Sequence, residues 1–320
     1  MTQGRPFALS GIVTLTLNPA IDVSTATDRV TPVNKLRCDA GQRDPGGGGI
    51  NVARVITRLG ARSTAIYPAG GIVGQLLKRL VDAEGIVSLA VPVAGETRED
   101  FTVLDRSSGE QYRFVLPGPR LADGEWEACL RALASLEIKP AYVCASGSLP
   151  PGVPDDAFGR VARTVQGWGG KLVLDTSGAA LEHALEGGVY LVKPNLRELR
   201  ELTGQVLEGR GALIAACRSL IDRGACEVAA LTLGAEGALL VTAEHAWAAA
   251  ALPIRPVSTV GAGDSFLGAM IWGLTVGKSL DESFRYAVAG GSAALLAPGT
   301  GLCRAEDVHR LVREVVVEAL

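Results

Sequence analysis

Short apolar runs, each about as long as a β-strand, alternate along this chain with segments of helical periodicity. The run 12–17 is rich in β-branched residues and ends at Asn18-Pro19, which predicts a buried strand. The predicted strands in the second half are 141–145, 171–175, 190–193 and 228–233, and the predicted helices are 125–136, 155–166, 196–202 and 211–223. Such alternation favours an α/β fold with a mostly parallel sheet and helices on both faces.

The first half and the tail follow the same rule with one exception. Helices are predicted at 50–59 and 74–83, a strand at 65–68, and an amphipathic helix at 305–320. The exception is 101–116, where apolar and polar residues alternate around Ser107-Ser108-Gly109 and predict a β-hairpin. With short strands in 22–43, this hairpin predicts a β lid covering about 22–43 and 98–116 on a single domain, 1–320.

Composition limits the classes of function. The 320 residues carry a net charge of −3 with 48% hydrophobic content, so no basic excess favours nucleic acid or an anionic membrane surface. Residues 1–10 lack an apolar signal core, no apolar stretch is long enough to span a bilayer, and no pair of the six cysteines has C-x-x-C spacing. We therefore expect a soluble cytoplasmic protein with reduced thiols.

The strongest chemical motif is Gly261-Ala262-Gly263-Asp264, which opens an apolar helical run. Backbone N–H groups at a helix N-terminus favour an anion, and a first-turn carboxylate beside them can serve as a base. Phosphoryl transfer needs both an anion hole and a base. An isolated motif of this kind could equally be an acid that complements the helix dipole.

A second motif is Gly46-Gly47-Gly48-Gly49, followed by Ile50-Asn51. Four glycines permit positive φ and a bare backbone surface against a polar ligand, although a flexible loop is the alternative interpretation. No G-K-[ST] follows, and position 51 is Asn, so the segment fits neither a Walker loop nor the dinucleotide fingerprint.

A third motif is Lys193-Pro194-Asn195-Leu196-Arg197-Glu198 at a predicted strand-to-helix turn. Asn195 and Glu198 share one helical face and offer hard oxygen atoms that suit Mg²⁺ held through water. Taken alone, the pair is better explained as a helix capping box.

Together these motifs resemble the PfkB family of ribokinase-like sugar kinases, and the resemblance covers nearly the whole chain. More narrowly, Lys35-Leu36-Arg37-Cys38, the glycine cluster, Gly109-Glu110-Gln111-Tyr112-Arg113-Phe114 and Ser146-Gly147-Ser148-Leu149-Pro150-Pro151-Gly152 resemble the minor-type bacterial 6-phosphofructokinases. The resemblance implies a ribokinase-like three-layer sandwich with a small β-sheet lid. It also implies phosphorylation of fructose 6-phosphate at its C1 hydroxyl by MgATP.

The resemblance assigns roles to matching positions. It makes Asp264 the base and Gly261, Ala262 and Gly263 the anion hole for the γ-phosphoryl group. On the nucleotide side, it implies that Mg²⁺ is organised by Asn195 and Glu198 and that the ATP site is lined by Lys193, Thr232, Gly234 and Gly237.

On the sugar side, it implies that Asp22, at the end of the first strand, binds sugar hydroxyls together with Gly47, Gly48 and Asn51. Lys35, counted among the catalytic residues, is expected at or near the 6-phosphate with Arg98 and Ser148. A monovalent cation such as K⁺ is expected to bind the backbone carbonyls of Ser258, Val260, Ala294 and Gly299.

Departures from the pattern leave the sugar open. The segment 18–22 resembles the 1-phosphofructokinase and tagatose-6-phosphate kinase branches equally well, and Gly301 replaces an Arg. Asp100 stands where an Asn is common, and we expect its carboxylate to point away from the phosphate. A non-catalytic sugar-phosphate sensor and an NAD-dependent oxidoreductase are more distant alternatives. A homodimer that pairs through the lid is also expected, because apolar hairpin positions would otherwise stay exposed.

Overall fold

Two β-sheets organise the chain in the computed structural model, which describes residues 11–320. Within these residues the strands are β1 (Ile12–Leu15), β2 (Ala20–Thr27), β3 (Gln42–Gly46), β4 (Thr64–Ala69), β5 (Val87–Pro92), β6 (Arg98–Asp105), β7 (Gln111–Phe114), β8 (Tyr142–Ser146), β9 (Lys171–Asp175), β10 (Val189–Val192), β11 (Cys226–Thr232), β12 (Ala238–Val241), β13 (Ala246–Ala249) and β14 (Glu318–Ala319). The α-helices are α1 (Gly48–Arg58), α2 (Gly71–Ala83), α3 (Asp123–Ala134), α4 (Ala157–Gln166), α5 (Ala179–Glu186), α6 (Leu196–Thr203), α7 (Gly209–Asp222), α8 (Ala262–Thr275), α9 (Leu280–Ala294) and α10 (Ala305–Leu311).

The large sheet has the strand order β14-β13-β12-β11-β10-β9-β8-β1-β4-β5. Neighbours from β5 to β11 pair in parallel, and β11 to β14 pair antiparallel. The prediction of a mostly parallel sheet is confirmed. Because parallel strands end at one edge of a sheet, the segments that follow β1, β8, β9 and β10 are brought together there.

Helices cover both faces of the large sheet and make three layers. On one face, Trp126 of α3, Phe158 of α4 and Leu220 of α7 pack in one buried cluster. On the other face, Met270 of α8 and Phe284 of α9 belong to a second cluster. Burial of these side chains against the apolar strands supplies the main driving force for the fold.

The small sheet has the order β3-β2-β6-β7. The predicted hairpin is confirmed as the antiparallel pair β6 and β7, while β2 and β6 run parallel. Asp22 lies directly opposite Asp100, so both side chains stand on one face, and the next residue, Phe101, stands on the other. The sheet spans 20–46 and 98–114, rather than the predicted 22–43 and 98–116.

The prediction of a single helix over 305–320 is wrong. Helix α10 ends at Leu311, and the chain then finishes as β14, which pairs with β13 at the edge of the large sheet. Val315 is buried, while Val316 is exposed. A run of three β-branched residues at 315–317 favours extended backbone over helix, and the unpaired edge of β13 accepts it.

Helix α9 was missed by the sequence interpretation although its start carries a recognisable signal. The Ser279 hydroxyl accepts a hydrogen bond from the Glu282 backbone N–H, and the Glu282 carboxylate accepts one from the Ser279 backbone N–H. This Ser-x-x-Glu capping box begins a helix that packs on α8 through small residues, with Gly290 against Ser265.

Among residues 11–320, none of the helices has the combination of length and hydropathy that crossing a bilayer requires.

A buried arginine connects the small sheet to the helices beneath it. Arg54 of α1 is 1% exposed, and its Nε lies 2.8 Å from Glu84 Oε1 at the end of α2. Its other nitrogens donate to the Pro45 carbonyl oxygen at 3.0 Å, to Asn51 Oδ1 at 3.3 Å and to Asp44 Oδ1 at 3.4 Å. One guanidinium therefore holds the strand before the glycine cluster and the helix after it.

We predict that Arg54→Met lowers the free energy of unfolding by about 3 kcal/mol, because it removes a buried guanidinium from the partly buried Asp44 and Glu84 carboxylates and from the carbonyl of the buried Pro45. The matched control is Arg310→Met on α10, where the exposed pair with Asp307 is worth less than about 1 kcal/mol. Urea unfolding followed by circular dichroism measures both. Equal losses in the two variants would contradict the anchoring role of Arg54.

Candidate active site

The candidate site lies where the carboxyl ends of the parallel strands meet the N-termini of α1 and α8. Gly261 is the N-cap of α8 at φ 74°, in the left-handed region that a side chain would strain. Gly47 is the N-cap of α1 at φ 103°. Both positive-φ turns allow a helix to begin directly at the sheet edge, so their free amide groups face the same space.

Asp264 lies in the first turn of α8 and accepts a hydrogen bond from Asn51 Nδ2 at 2.9 Å. Burial raises the pKa of Asp264 to about 7, and the nearby carboxylates of Asp175 and Asp22 add to the rise. The Asn51 hydrogen bond and the Lys193 ammonium act in the opposite direction. A carboxylate with a pKa near neutrality is suited to accept a proton at physiological pH.

Lys193 follows β10 and forms an ion pair with Asp175, with 3.1 Å between Nζ and Oδ1. Burial opposes the charged ammonium, but Asp175 and the neighbouring carboxylates outweigh this, and the pKa of Lys193 is raised. A Cβ at position 263 would lie 3.5 Å from Lys193 Nζ, so the ammonium stands beside the predicted anion hole. Sequence interpretation missed Asp175, although it ends a strand that was predicted at 171–175.

Asn195 and Glu198 form the capping box that the sequence offered as an alternative to a magnesium site. Asn195 Oδ1 accepts from the Glu198 N–H at 2.9 Å, and Glu198 Oε2 accepts from the Asn195 N–H at 2.9 Å. Glu198 Oε1 is left as a hard oxygen that suits a water bound to Mg²⁺. Thr232 pairs with Asn195 in an isolated bridge, and the turn that follows contains Gly234 and Gly237, both at positive φ.

The expected position of Asp22 needs correction. It is the third residue of β2 in the small sheet, not the end of the first strand, because the chain turns at Asn18-Pro19 before it reaches Asp22. Burial raises the pKa of Asp22 to about 6, with a further contribution from Asp100. A Cβ at Gly46 would lie 2.5 Å from the Asp22 carboxylate, and a Cβ at Gly48 would lie 2.2 Å from Ser146 Oγ. The glycine cluster thus packs closely between Asp22 and the end of β8.

Arg98 and Ser148 are brought together by Asn18. Arg98 Nη2 donates to the Asn18 carbonyl oxygen at 3.0 Å, and 3.0 Å separates Asn18 Nδ2 from Ser148 Oγ. All three residues line an open cavity of about 640 Å³, and the buried Arg98 Nε has no hydrogen-bond partner within residues 11–320. Lys35 lies in the exposed segment between β2 and β3, and its part in this site stays a prediction.

The expectation for Asp100 is wrong. Its carboxylate turns toward Arg98, with 3.0 Å between Asp100 Oδ2 and Arg98 Nη1, and it also accepts from the Leu116 backbone N–H. The sheet register explains this, because Asp100 occupies the same face as Asp22. The partner it finds there is a guanidinium.

The predicted cation ligands lie in two adjacent segments. Ser258 Oγ donates to the Gly299 carbonyl oxygen at 2.9 Å and accepts from the Val260 N–H at 3.2 Å. Near Ala294, the Leu295 carbonyl accepts from the Val257 N–H at 2.7 Å. Two contacts that the sequence did not reveal join this region to the small sheet: Ser258 with Gln111, and Thr300 with Asp44.

Several proteins with assigned activities are similar to this chain over nearly its entire length. The family model described as pfkB family carbohydrate kinase matches residues 13–307. The ATP-dependent 6-phosphofructokinase isozyme 2 of Mycobacterium tuberculosis H37Rv is 48% identical over 96% of this chain and 89% of that protein. Its namesake in Escherichia coli K12 is 40% identical over 94% and 97%. The 1-phosphofructokinase of Bacillus subtilis is 31% identical over 97% and 100%.

Solved structures agree with this assignment. Phosphofructokinase-2 from Escherichia coli in complex with fructose-6-phosphate is 38% identical, covers 96% of this chain and 99% of that chain, and superposes with a TM-score of 0.90. The same protein in complex with potassium is 39% identical, with the same coverage and a TM-score of 0.91. Arabidopsis thaliana ribokinase, at 20% identity over 96% and 99% with a TM-score of 0.74, shares the fold, which confirms the ribokinase-like prediction. From its sequence, its three-layer architecture and these matches, the chain belongs to the pfkB family of carbohydrate kinases.

Proposed function

We propose that this kinase transfers the γ-phosphoryl group of MgATP to the C1 hydroxyl of fructose 6-phosphate, forming fructose 1,6-bisphosphate. The observation that carries the proposal is the position of Asp264. It is a half-buried carboxylate with a pKa raised to about 7 at the N-terminus of α8, between Asn51 on the sugar side and Lys193 on the nucleotide side. A base and an anion hole in one turn are what phosphoryl transfer to an alcohol requires.

In the proposed reaction Asp264 accepts the proton of the attacking hydroxyl, and the first amide groups of α8 stabilise charge on the transferred group. Lys193, kept charged by Asp175, balances phosphate charge beside Gly263. Asn51 orients the carboxylate, and Asp22 with Gly47 and Gly48 binds sugar hydroxyls. Bound MgATP supplies the phosphoryl group, with Glu198 and Asn195 near the metal and Thr232, Gly234 and Gly237 along the nucleotide.

The 6-phosphate is assigned to the cavity that Arg98 and Ser148 line. Arg98 Nε, which has no partner within residues 11–320, supports this, because a buried donor without a partner is costly unless a ligand accepts from it. Two relatives are named 6-phosphofructokinase, which also favours fructose 6-phosphate as the substrate. Phosphorylation of tagatose 6-phosphate or fructose 1-phosphate would follow the same mechanism. A sensor without catalysis is disfavoured because Asp264, Asn195 and Glu198 are all present.

We further propose that carbonyls near Ser258, Val260, Ala294 and Gly299 bind K⁺. The potassium complex of the similar Escherichia coli protein supports this, as does the hydrogen bond that joins the segment at Ser258 to the segment at Gly299.

The small sheet is proposed to act as a lid on the one kinase domain that we assign to 1–320. A cytoplasmic location also remains a proposal, which cell fractionation tests.

A homodimer that pairs through the outer face of the small sheet is also proposed. Phe101, Tyr112 and Phe114 on that face are each more than a third exposed. Contiguous apolar surface of this kind is unusual on a monomer and favours association.

We predict robust ADP production with MgATP and fructose 6-phosphate, and a loss of 10²- to 10⁴-fold in kcat for Asp264→Asn, the usual range for a general base. The matched control is Asp281→Asn, which removes another first-turn acid, at the start of α9. A loss of kcat in Asp264→Asn but not in Asp281→Asn distinguishes a catalytic carboxylate from one that only complements a helix dipole. Faster turnover of tagatose 6-phosphate or fructose 1-phosphate in the same assay would move the substrate and keep the mechanism.

We predict that kcat/KM falls about tenfold per pH unit below pH 7, because protonation of Asp264, whose pKa is raised to about 7, removes the base. The sugar phosphate itself titrates near pH 6, so a variant is needed to assign the limb. Asn51→Ala removes a hydrogen bond that lowers the pKa of Asp264, and we expect the limb to move to higher pH. A limb that stays in place in Asn51→Ala would assign the ionisation to another group.

We predict that the wild-type protein is a dimer in light scattering at micromolar concentration and that Phe114→Glu is a monomer. Phe114 is 54% exposed on the outer face of the small sheet, and the control Ile138→Glu changes a residue that is 56% exposed after α3. A wild-type monomer with full activity would refute the dimer, and equal dissociation of both variants would refute the assigned surface.

A further inference from the structure

The guanidinium of Arg98 is held along one edge by the protein. Arg98 Nη1 lies 3.0 Å from Asp100 Oδ2 and donates to the Leu116 carbonyl oxygen at 2.9 Å. Nη2 donates to the Asn18 carbonyl oxygen at 3.0 Å. Nε is buried, and residues 11–320 provide no partner for it. Nε is thus the guanidinium nitrogen that these contacts leave without a partner, and an Arg binds a phosphate through two parallel hydrogen bonds along the edge formed by Nε and Nη2.

Asp100 is itself fixed in place. Asp100 Oδ1 accepts from the Leu116 backbone N–H at 3.0 Å and from Arg98 Nη1 at 3.1 Å. Its backbone is set by the pairing of β6 with β2. The carboxylate is 12% exposed and the arginine side chain 10%, so water competes little with their contact. The sheet register thus fixes the position of Asp100, and Asp100 in turn fixes the orientation of the Arg98 side chain.

Two opposite effects on a bound phosphate follow from this contact. The negative charge of Asp100 cancels part of the attraction of Arg98 for a phosphate dianion, which would weaken binding. Against this, Asp100 restricts a long side chain to one orientation before the ligand arrives, which strengthens binding by reducing the entropy that is lost. The geometry favours the second effect, because Asp100 contacts only Nη1 and leaves Nε without a partner within residues 11–320.

We propose that Asp100 is a positioning residue for the 6-phosphate: it holds Arg98 by Nη1 so that its Nε edge faces the phosphate of the acceptor sugar. The inference rests on the proposed function, since it assumes a phosphorylated sugar in the cavity that Arg98 and Ser148 line. It gives the Asp100 carboxylate a role in binding the acceptor sugar, through its effect on the orientation of Arg98. It also explains why that carboxylate faces the phosphate site without excluding an anion from it.

The test compares Asp100→Ala with Asp100→Asn at saturating MgATP. Asp100→Ala releases Arg98, and we expect KM for fructose 6-phosphate to rise at least tenfold while kcat changes less than about threefold. Asp100→Asn keeps an oxygen that can accept from both Leu116 and Arg98, so KM should stay within about threefold of wild type. Rescue by the amide together with the split between KM and kcat would not be expected from a purely structural role.

Asp155→Ala is the matched control. Asp155 is exposed on the rim of the same cavity and forms no ion pair with Arg98 within the described residues, so this variant removes the same charge without releasing the guanidinium. We expect its KM to change less than about twofold. A KM that rises as much in Asp155→Ala as in Asp100→Ala would show that the rise does not depend on the contact with Arg98 and would overturn the proposal.

A lower or unchanged KM in Asp100→Ala would also overturn the proposal, since Asp100 would then compete with the phosphate or have no influence on it. Asp100→Ser serves the same comparison if Asp100→Ala does not fold, as judged by its melting curve. Failure of the proposed function has a different signature, because wild-type enzyme would then turn over none of the three sugar phosphates, and the role of Asp100 would fall with it. If another of the three is preferred, the same variants are measured with that sugar.

Discussion

The arrangement of the site depends on one buried guanidinium. Arg54 bonds to the strand that leads into the glycine cluster, to the end of α2 and to the amide of Asn51. Because Arg54 occupies Asn51 Oδ1, the Nδ2 group of Asn51 is directed at Asp264. An amide with the opposite orientation would place an oxygen against a carboxylate and raise the pKa of Asp264 further. The pKa of Asp264 is thus tied to the ion pair of Arg54, one turn further along α1.

A balance of charges follows from that anchor. Burial raises the pKa of Asp22 and of Asp264, and the negative charges of Asp175 and Asp22 raise the pKa of Asp264 further. Lys193 offsets part of this charge through its ion pair with Asp175 and keeps an ammonium beside Gly263. The result is a pocket that holds an ammonium beside Gly263 and a carboxylate with a pKa near neutrality beside Asn51, within a protein whose net charge is only −3.

Much of the fold could be predicted from the sequence because parallel strands and their helices carry strong local periodicity. The motif residues on either side of Asp264 could also be placed, since each follows a strand or opens a helix. The tail could not, because pairing of β14 with β13 is a long-range contact that outweighs the helical spacing of Val308, Leu311 and Val315. The same reason explains Asp100 and Asp22, whose surroundings come from strands that are far apart in the chain and meet only in the small sheet.

The hairpin of β6 and β7 contributes Arg98, Asp100 and the approach to Leu116, whereas the groups proposed to surround the transferred phosphoryl come from α1, α8 and the ends of β9 and β10. Under the proposed function, the contacts that the hairpin makes to the sugar phosphate therefore lie on a different piece of chain from the base, while Asn51 of α1 serves both the sugar and the base. A change of sequence in the hairpin would then alter the contacts to the sugar phosphate and leave Asp264, on α8, in place. Such separation lets one catalytic frame diversify toward new substrates by exchange of a short segment, while the machinery of transfer is inherited intact.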